Sequence, residues 1–154
     1  MLCGLPGSGK STYAQKLASK GLSKLSPDEE VYIRFGRVGI DYPKDQYLKY
    51  YEIVLAEFEQ KIPELLEQGK SIILDYGYWR KTHRDKHKGF IEKHNGKWKL
   101  LYFKANNEIL VNRIERRNKQ RDANAFPVTK DMLQGFIDRF EEPYEEGELI
   151  IEQS

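Results

Sequence analysis

The chain has 154 residues, of which 39% are hydrophobic and 32% charged, and its formal net charge is +2. These values are typical of one globular domain, and they exclude a disordered chain and a membrane protein, because no apolar run reaches about 18 residues. The single cysteine, Cys3, cannot form an internal disulfide, and no signal peptide precedes the first motif, so we expect a cytoplasmic protein.

Helical and strand patterns alternate along the chain. The predicted strands cover residues 1–3, 22–25, 71–75, 98–103 and 148–152. The predicted helices cover 10–20, a segment beginning at 27, a long segment between 43 and 69, and then 81–94, 107–119 and 129–140. This alternation predicts a single α/β domain over residues 1–154, in which helices cover both faces of a parallel sheet in three layers.

Several residues carry local signals for where helices begin or break. The stretch 26–29, Ser-Pro-Asp-Glu, is typical of a capping box with proline at the first helical position. Asn106 or Asn107, and then Thr129, are expected to cap two later helices. Pro63 is expected to kink the long helix or to restart it, because proline cannot donate the helical hydrogen bond.

Charge is distributed unevenly. Residues 1–76 carry a net charge of −1, residues 77–130 carry +10, and residues 131–154 carry −7. The basic middle segment indicates an anionic partner such as a nucleotide phosphate or a nucleic acid. The alternative is that the acidic tail folds back and neutralises this segment.

Residues 4–12, Gly-Leu-Pro-Gly-Ser-Gly-Lys-Ser-Thr, match the phosphate-loop pattern G-x-x-x-x-G-K-[ST] between a predicted strand and a predicted helix. Glycines allow the tight turn in which backbone N–H groups converge on phosphate oxygens, and the helix start adds a positive dipole. Lys10 is expected to reach the β- and γ-phosphates of ATP, and the Ser11 hydroxyl is expected to ligate Mg²⁺. The predicted nucleotide contacts are Gly4, Pro6, Gly7, Ser8, Gly9, Lys10, Ser11 and Thr12.

Two acids follow predicted strands. Asp75 closes an apolar strand, at the position where P-loop proteins place a second acid near Mg²⁺. Asp28 follows the second strand, where it could accept the proton of an attacking hydroxyl. The alternative for Asp28 is a helix-start residue, because acids favour the first turn of a helix.

Arginines crowd one helix end and the loop after it: Arg113, Arg116, Arg117 and Arg121. Such side chains can close over ATP and neutralise the transferring phosphoryl group, and the alternative is a solvated basic helix end. Three aromatic residues after the third strand, Tyr76, Tyr78 and Trp79, could stack a base or an aromatic acceptor, or simply pack. His83 and His87, four residues apart, are interpreted as part of an exposed polar face rather than as a metal pair.

Taken together, these motifs resemble the P-loop kinases around the polynucleotide 5′-hydroxyl kinases, and more closely the bacterial AAA-domain predicted kinases. Zeta toxins and chloramphenicol phosphotransferases are more distant relatives. The resemblance covers nearly the whole chain: the loop at 4–12, Leu25 to Glu29, Leu74 to Trp79 followed by Arg84, and residues 117–128.

The resemblance implies a role for each of these segments. Asp28 is the general base, Arg121 is the transition-state clamp, and Arg117 lies near the nucleotide. Residues 117–127 form a lid expected to become ordered over ATP, and the sheet order is 2-3-1-4-5. The family often places a substrate-binding arginine three residues after the aspartate, and this chain has Val31 there, with Arg34 or Arg37 as the alternative substrate contact.

The sequence therefore predicts an ATP- and Mg²⁺-dependent kinase. Asp28, Lys10 and Arg121 are the predicted catalytic residues, and Arg84 with the segment 76–79 is predicted to face the acceptor. The acceptor is either a small molecule or a nucleic-acid 5′-hydroxyl. The alternative is a nucleotide-dependent switch that regulates a partner, which needs no base such as Asp28 beside an acceptor pocket.

Overall fold

The computed structural model describes residues 1–119 and 128–153. Strands and helices alternate as the sequence predicts. The strands are β1 Leu2–Cys3, β2 Ser23–Leu25, β3 Ile72–Leu74, β4 Leu100–Lys104 and β5 Glu148–Glu152. The helices are α1 Lys10–Ala18, α2 Pro27–Phe35, α3 Tyr47–Glu67, α4 Lys81–Lys93, α5 Asn107–Asn118 and α6 Lys130–Arg139, with a short 3₁₀ turn at Lys44–Gln46.

The strands pair in parallel in two groups. One group has the order β1-β4-β5 and the other pairs β2 with β3. Between the two groups there is one parallel bridge, from Cys3 to Gly77, beside which the Gly4 N–H donates to the Gly77 carbonyl at 3.2 Å. The continuous five-stranded sheet of order 2-3-1-4-5 is therefore not confirmed. The two-residue β1 and the three-residue β3 are too short to form a longer ladder with each other.

Neighbouring residues on the inner strands face opposite sides, as the two-residue repeat of a strand requires. Leu2, Ile73 and Phe103 pack in one buried cluster with Ala14 of α1. The residues next to them, Cys3, Leu74 and Tyr102, pack in a second cluster with α3 and α4. Helices thus cover both faces of the strands, which gives the three-layer α/β arrangement.

The long helix α3 supplies much of the second cluster. Val54, Phe58 and Ile62 are buried at four-residue spacing. The helix continues through Pro63, so the predicted restart is wrong. Ile62 before the proline and Leu66 after it belong to the same packed cluster, and this packing holds the helix together where a backbone hydrogen bond is missing.

Side-chain caps form at two of the predicted helix starts. The Asn106 side chain accepts from the Ile109 N–H at 2.9 Å, and the Thr129 hydroxyl accepts from the Met132 N–H at 3.2 Å. At α2 the capping box does not form, because the Ser26 side chain makes no cap bond. Pro27 instead begins this helix at its first position, where proline loses no hydrogen bond.

The acidic tail folds back on the basic segment, as one of the two sequence-based alternatives supposed. Glu142 pairs with Lys104 at 2.6 Å, and Glu141 accepts from the N–H that begins α4 at 2.7 Å. Glu146 pairs with two cations of α4. Much of the positive charge between residues 77 and 130 is therefore matched within the chain.

The helices within residues 1–119 and 128–153 bear on membrane insertion. None of them combines the length and the apolar character needed to span a bilayer.

Candidate active site

The phosphate loop lies between β1 and α1. Gly9 precedes the helix in the left-handed region, with φ of 93°, so α1 begins at Lys10. Gly4 lies against β4, and a Cβ at this position would come within 2.7 Å of the Phe103 carbonyl oxygen. A side chain is excluded there, and the loop can pass close to the strand ends only because residue 4 is glycine.

Lys10 lies over its own loop. Its ammonium group donates to the Leu5 carbonyl at 2.9 Å and approaches the Ser8 hydroxyl at 3.4 Å. Burial lowers the pKa of Lys10, and the negative charges of Asp75 and Asp28 act against this decrease. The ammonium therefore lies within electrostatic reach of both acids that the sequence singled out.

Asp28 is in the first turn of α2, and its carboxyl lines the same cleft as Lys10. The Tyr47 hydroxyl of α3 donates a short hydrogen bond to it. The residue is exposed to the cleft, but the surrounding walls displace much of its hydration, and this burial raises the pKa of Asp28. The Tyr47 hydrogen bond opposes the increase, whereas the charge of Asp75 adds to it. A carboxylate with a raised pKa is a stronger base.

Asp75 follows β3 and is 6% exposed. Its backbone N–H donates to the Leu25 carbonyl at 2.9 Å, which ties the ends of β2 and β3 together. Asp75, Ser11 and Thr12 line the cleft near Lys10. A hydroxyl and a carboxylate supply the oxygen ligands that Mg²⁺ prefers, so Ser11 and Asp75 fit the metal role that the sequence predicts for them.

The cleft has a volume of about 1340 Å³. Pockets for one small ligand typically occupy about 300–1,000 Å³, so this cleft has room for two molecules side by side. The end formed by the phosphate loop also includes Arg113, Arg117 and Gln153. The opposite end is formed by α2, α3 and the segment after β3, and it is rich in aromatic residues: Tyr32, Tyr42, Tyr47, Tyr51, Tyr76, Tyr78, Trp79 and Phe136.

Two of the clustered arginines, Arg113 and Arg117, lie four residues apart on α5 and line the end of the cleft formed by the phosphate loop. Arg113 donates to the Gly7 carbonyl at 3.4 Å and to the Gln153 side chain at 3.3 Å, so it braces the loop. Arg117 lines the cleft nearby. Arg121 and most of the predicted lid, residues 117–127, lie outside the described residues.

Arg84, predicted to face the acceptor, does not line the cleft. It is 0% exposed, and its guanidinium makes a bidentate pair with Glu146 at 2.8 and 2.7 Å. A third N–H donates to the Tyr78 carbonyl at 2.9 Å. The sequence could not indicate this partner, because Glu146 is 62 positions away in the acidic tail. Arg84 therefore supports the wall of the cleft through its hydrogen bond to the backbone of Tyr78, which does line the cleft.

The aromatic residues predicted to face the acceptor do line the cleft. Trp79 meets Phe136 edge to face at 5.0 Å, and Tyr76 stacks on Tyr78 at 5.6 Å. His87 is 7% exposed, so its assignment to an exposed polar face is wrong. The rings of Tyr76 and Tyr78 lie against it, and the sequence of α4 alone does not indicate these contacts. His83 is exposed.

The wall residues missed by the sequence analysis are Tyr47, Tyr51 and His87. The signal for Tyr47 and Tyr51 was present, because both lie on the apolar face of α3. That face does not by itself reveal a neighbouring cleft. No cluster of three or more His, Cys, Asp or Glu side chains suited to a metal ion occurs within residues 1–119 and 128–153.

The three-layer fold and the glycine loop between β1 and α1 define the P-loop class of nucleotide-binding proteins. A family model described as AAA domain matches residues 1–143. The chain therefore belongs to this family, and the resemblance to the AAA-domain group is confirmed.

Solved structures share the fold. A candidate kinase from Chloroflexus aurantiacus has a TM-score of 0.74 and 20% identity, over 98% of this chain and 82% of its own. Kti12 from Chaetomium thermophilum, solved with ADP-AlF3, has a TM-score of 0.63 and 18% identity, over 98% of this chain and 87% of its own. A gluconokinase from Sinorhizobium meliloti has a TM-score of 0.55 and 16% identity, over 98% of this chain and 79% of its own. At these identities the similarity establishes the fold.

Proposed function

We propose that the protein is an ATP-dependent kinase that transfers the γ-phosphoryl group to a hydroxyl of a second molecule. The observation that carries the proposal is the position of Asp28. Its carboxyl lies in the same cleft as Lys10, near enough for their charges to interact, and the cleft extends beyond it. A protein that only hydrolyses ATP can use such an acid to orient water, but it needs no additional space for a second molecule.

The nucleotide would bind with its phosphates on the loop from Gly4 to Thr12. The backbone N–H groups at the start of α1 and the Lys10 ammonium would hold the β- and γ-phosphates. Arg117, at the same end of the cleft, would add a further positive charge beside the nucleotide. This arrangement offsets the negative charge on the transferring group.

The acceptor hydroxyl would lie between the γ-phosphate and Asp28. Its oxygen forms a bond to the γ-phosphorus as the bond from that phosphorus to the bridging oxygen breaks, so ADP leaves. The hydroxyl proton passes to the Asp28 carboxylate. Tyr47 orients this carboxylate through its hydrogen bond. Ser11 and Asp75 would hold Mg²⁺, which when bound neutralises charge on the phosphates.

The test is phosphoryl transfer from γ-labelled ATP with Mg²⁺. Nucleosides, 5′-hydroxyl oligonucleotides, sugars and aminoglycosides are supplied in turn, and both ADP and labelled product are measured. A kinase forms labelled product in a one-to-one ratio with the additional ADP. Lys10→Ala is expected to abolish transfer and weaken ATP binding, whereas Lys20→Ala, at an exposed lysine just after α1, is expected to behave as wild type.

A different pattern would contradict the proposal. If ATP is hydrolysed at one rate with every compound and no labelled product forms, the protein belongs to the class of nucleotide-dependent switches. If Lys10→Ala retains wild-type ATP affinity and turnover, the assignment of the phosphate loop is wrong as well.

A further inference from the structure

The acceptor end of the cleft contains a wall of three side chains, Tyr76, Tyr78 and His87, which we call the tyrosine–histidine wall. The two tyrosine rings stack with an interplanar angle of 17°. His87 meets both edge to face, at 5.4 and 5.3 Å. All three residues line the cleft. Aromatic packing therefore brings two hydroxyl groups and one imidazole together in one wall.

The polar atoms of this wall have no hydrogen-bond partner in the part of the chain that the structure describes. Both tyrosine hydroxyls and both ring nitrogens of His87 are buried and make no hydrogen bond within the described residues. The nearest acid, Glu59, lies 3.8 Å from the imidazole, which is too far for a hydrogen bond. Buried polar groups are nearly always satisfied in native proteins, so four such atoms in one wall require an explanation.

The wall is also held firmly in place. Tyr78 adopts a left-handed backbone conformation, with φ of 49°, which is uncommon for a residue with a side chain. Arg84 and Cys3 both donate to its carbonyl oxygen, at 2.9 and 3.3 Å. Arg84 is fixed in turn by its buried pair with Glu146. Backbone strain of this kind persists where surrounding contacts impose it, and it is concentrated at binding sites.

The charges around this end of the cleft favour an uncharged ligand. Three of its basic side chains have acidic partners: Arg37 with Asp41, Arg80 with Glu141, and Lys86 with Glu59. Lys44 lies at the exposed rim. Burial lowers the pKa of His87, so its imidazole is neutral near pH 7. A strand of nucleic acid would need several cations for its phosphates.

We propose that the tyrosine–histidine wall binds an uncharged acceptor with several hydroxyl groups, a sugar or another polyol. This inference depends on the proposed kinase function. Each sugar hydroxyl can both donate and accept, as can a tyrosine hydroxyl, and a neutral imidazole offers one donor and one acceptor. The half-buried Tyr76 ring must turn to admit the ligand, because the polar atoms behind it are closed to solvent. The acceptor would then satisfy groups that the protein leaves unpaired.

The first experiment compares acceptors with the wild-type protein. Glycerol, ribose, glucose and myo-inositol are assayed with labelled ATP and Mg²⁺ beside a 5′-hydroxyl oligonucleotide and an aminoglycoside. The proposal predicts labelled product from at least one of the uncharged polyols. Transfer only to the oligonucleotide or the aminoglycoside would overturn the acceptor class and leave the kinase function intact. No transfer to any compound would overturn both.

The second experiment separates binding from structure. Tyr78→Phe and Tyr76→Phe remove one hydroxyl each and keep the ring, and Tyr50→Phe makes the same change on α3 at a residue that does not line the cleft. We expect each wall variant to raise the KM for the polyol about 3- to 10-fold, as for one lost neutral hydrogen bond, with the KM for ATP unchanged. The melting temperature should stay equal or rise, because an unpaired buried hydroxyl is removed.

In each wall variant the affinity for the acceptor is therefore expected to fall, while the melting temperature stays equal or rises. Wild-type KM for the polyol in both variants would show that the hydroxyls contact no substrate, and it would overturn the inference. An equal increase in KM for Tyr50→Phe would show a general effect of altered packing and would overturn it as well.

Discussion

The buried pair between Arg84 and Glu146 gives a quantitative test of how the acceptor end of the cleft is supported. We consider Arg84→Met, which keeps the bulk of the side chain and removes its charge. Breaking one partner of a buried ion pair typically costs about 3–5 kcal/mol. Lys88 remains 3.4 Å from the Glu146 carboxylate and still offsets part of its charge, so we expect the lower end, about 3 kcal/mol.

A loss of this size is readily measured. For a domain of this length, about 3 kcal/mol corresponds to a decrease in melting temperature of roughly 6–12 °C. Urea unfolding of Arg84→Met, Glu146→Gln and the double variant gives the coupling between the two side chains, which we expect to be about 1–3 kcal/mol. Arg80→Met is the matched control, because its pair with Glu141 is long and exposed and should contribute less than about 1 kcal/mol.

The same pair predicts a pH dependence. The hydrogen bond from Arg84 lowers the pKa of Glu146 from its ordinary value of 4.5. A carboxyl whose folded pKa is depressed contributes stability that is present above its unfolded pKa and lost as pH falls through the folded value. The stability difference between wild type and Arg84→Met should therefore be constant near neutral pH and shrink below about 4.5. Wild-type stability of Arg84→Met, together with a raised KM for the acceptor, would contradict this account and restore Arg84 as a substrate contact.

Three further predictions follow from individual contacts. Tyr47→Phe removes the hydrogen bond that lowers the pKa of Asp28, so the acidic limb of the profile of kcat/KM against pH should move to higher pH; an unmoved limb would separate Tyr47 from the base. Gly4→Ala places a Cβ 2.7 Å from the Phe103 carbonyl, so calorimetry should show a loss of more than about 1 kcal/mol, and a wild-type melting curve would contradict the close approach. Burial raises the pKa of Cys3 to about 11, so iodoacetamide at pH 8 should modify the folded protein far more slowly than the unfolded one, and equal rates would refute its burial.

The parts of the site that are local in sequence could be predicted. The spacing of Gly4, Gly9 and Lys10 determines the phosphate loop because one turn and one helix start form within a few residues. Asp28 and Asp75 could be singled out because each follows a predicted strand, and parallel strands end at the same edge of a sheet. The structure brings both acids and Lys10 into one cleft.

The parts that depend on distant packing could not be predicted. The burial of His87 requires the segment after β3 to pack its tyrosine rings against α4. The pair of Arg84 requires the acidic tail to return across the basic segment. The net charges of the segments were compatible both with the acidic tail folding back and with a nucleic-acid surface, because a net charge does not say where the individual charges lie. The continuous sheet of order 2-3-1-4-5 is not confirmed, because within the described residues the two groups of strands are joined by an isolated bridge from Cys3 to Gly77 rather than by a ladder.

The central claim is that Asp28 is the base of a phosphoryl-transfer reaction, and one paired measurement tests it most directly. Nucleotide affinity and acceptor-dependent transfer are determined for Asp28→Asn and for Glu29→Gln, the adjacent acid, which pairs with Lys24 and does not line the cleft. We predict that Asp28→Asn binds ATP as wild type does and loses transfer by about 10²–10⁴-fold, whereas Glu29→Gln retains both. Normal transfer by Asp28→Asn would reduce Asp28 to a helix-start residue and contradict the proposed function.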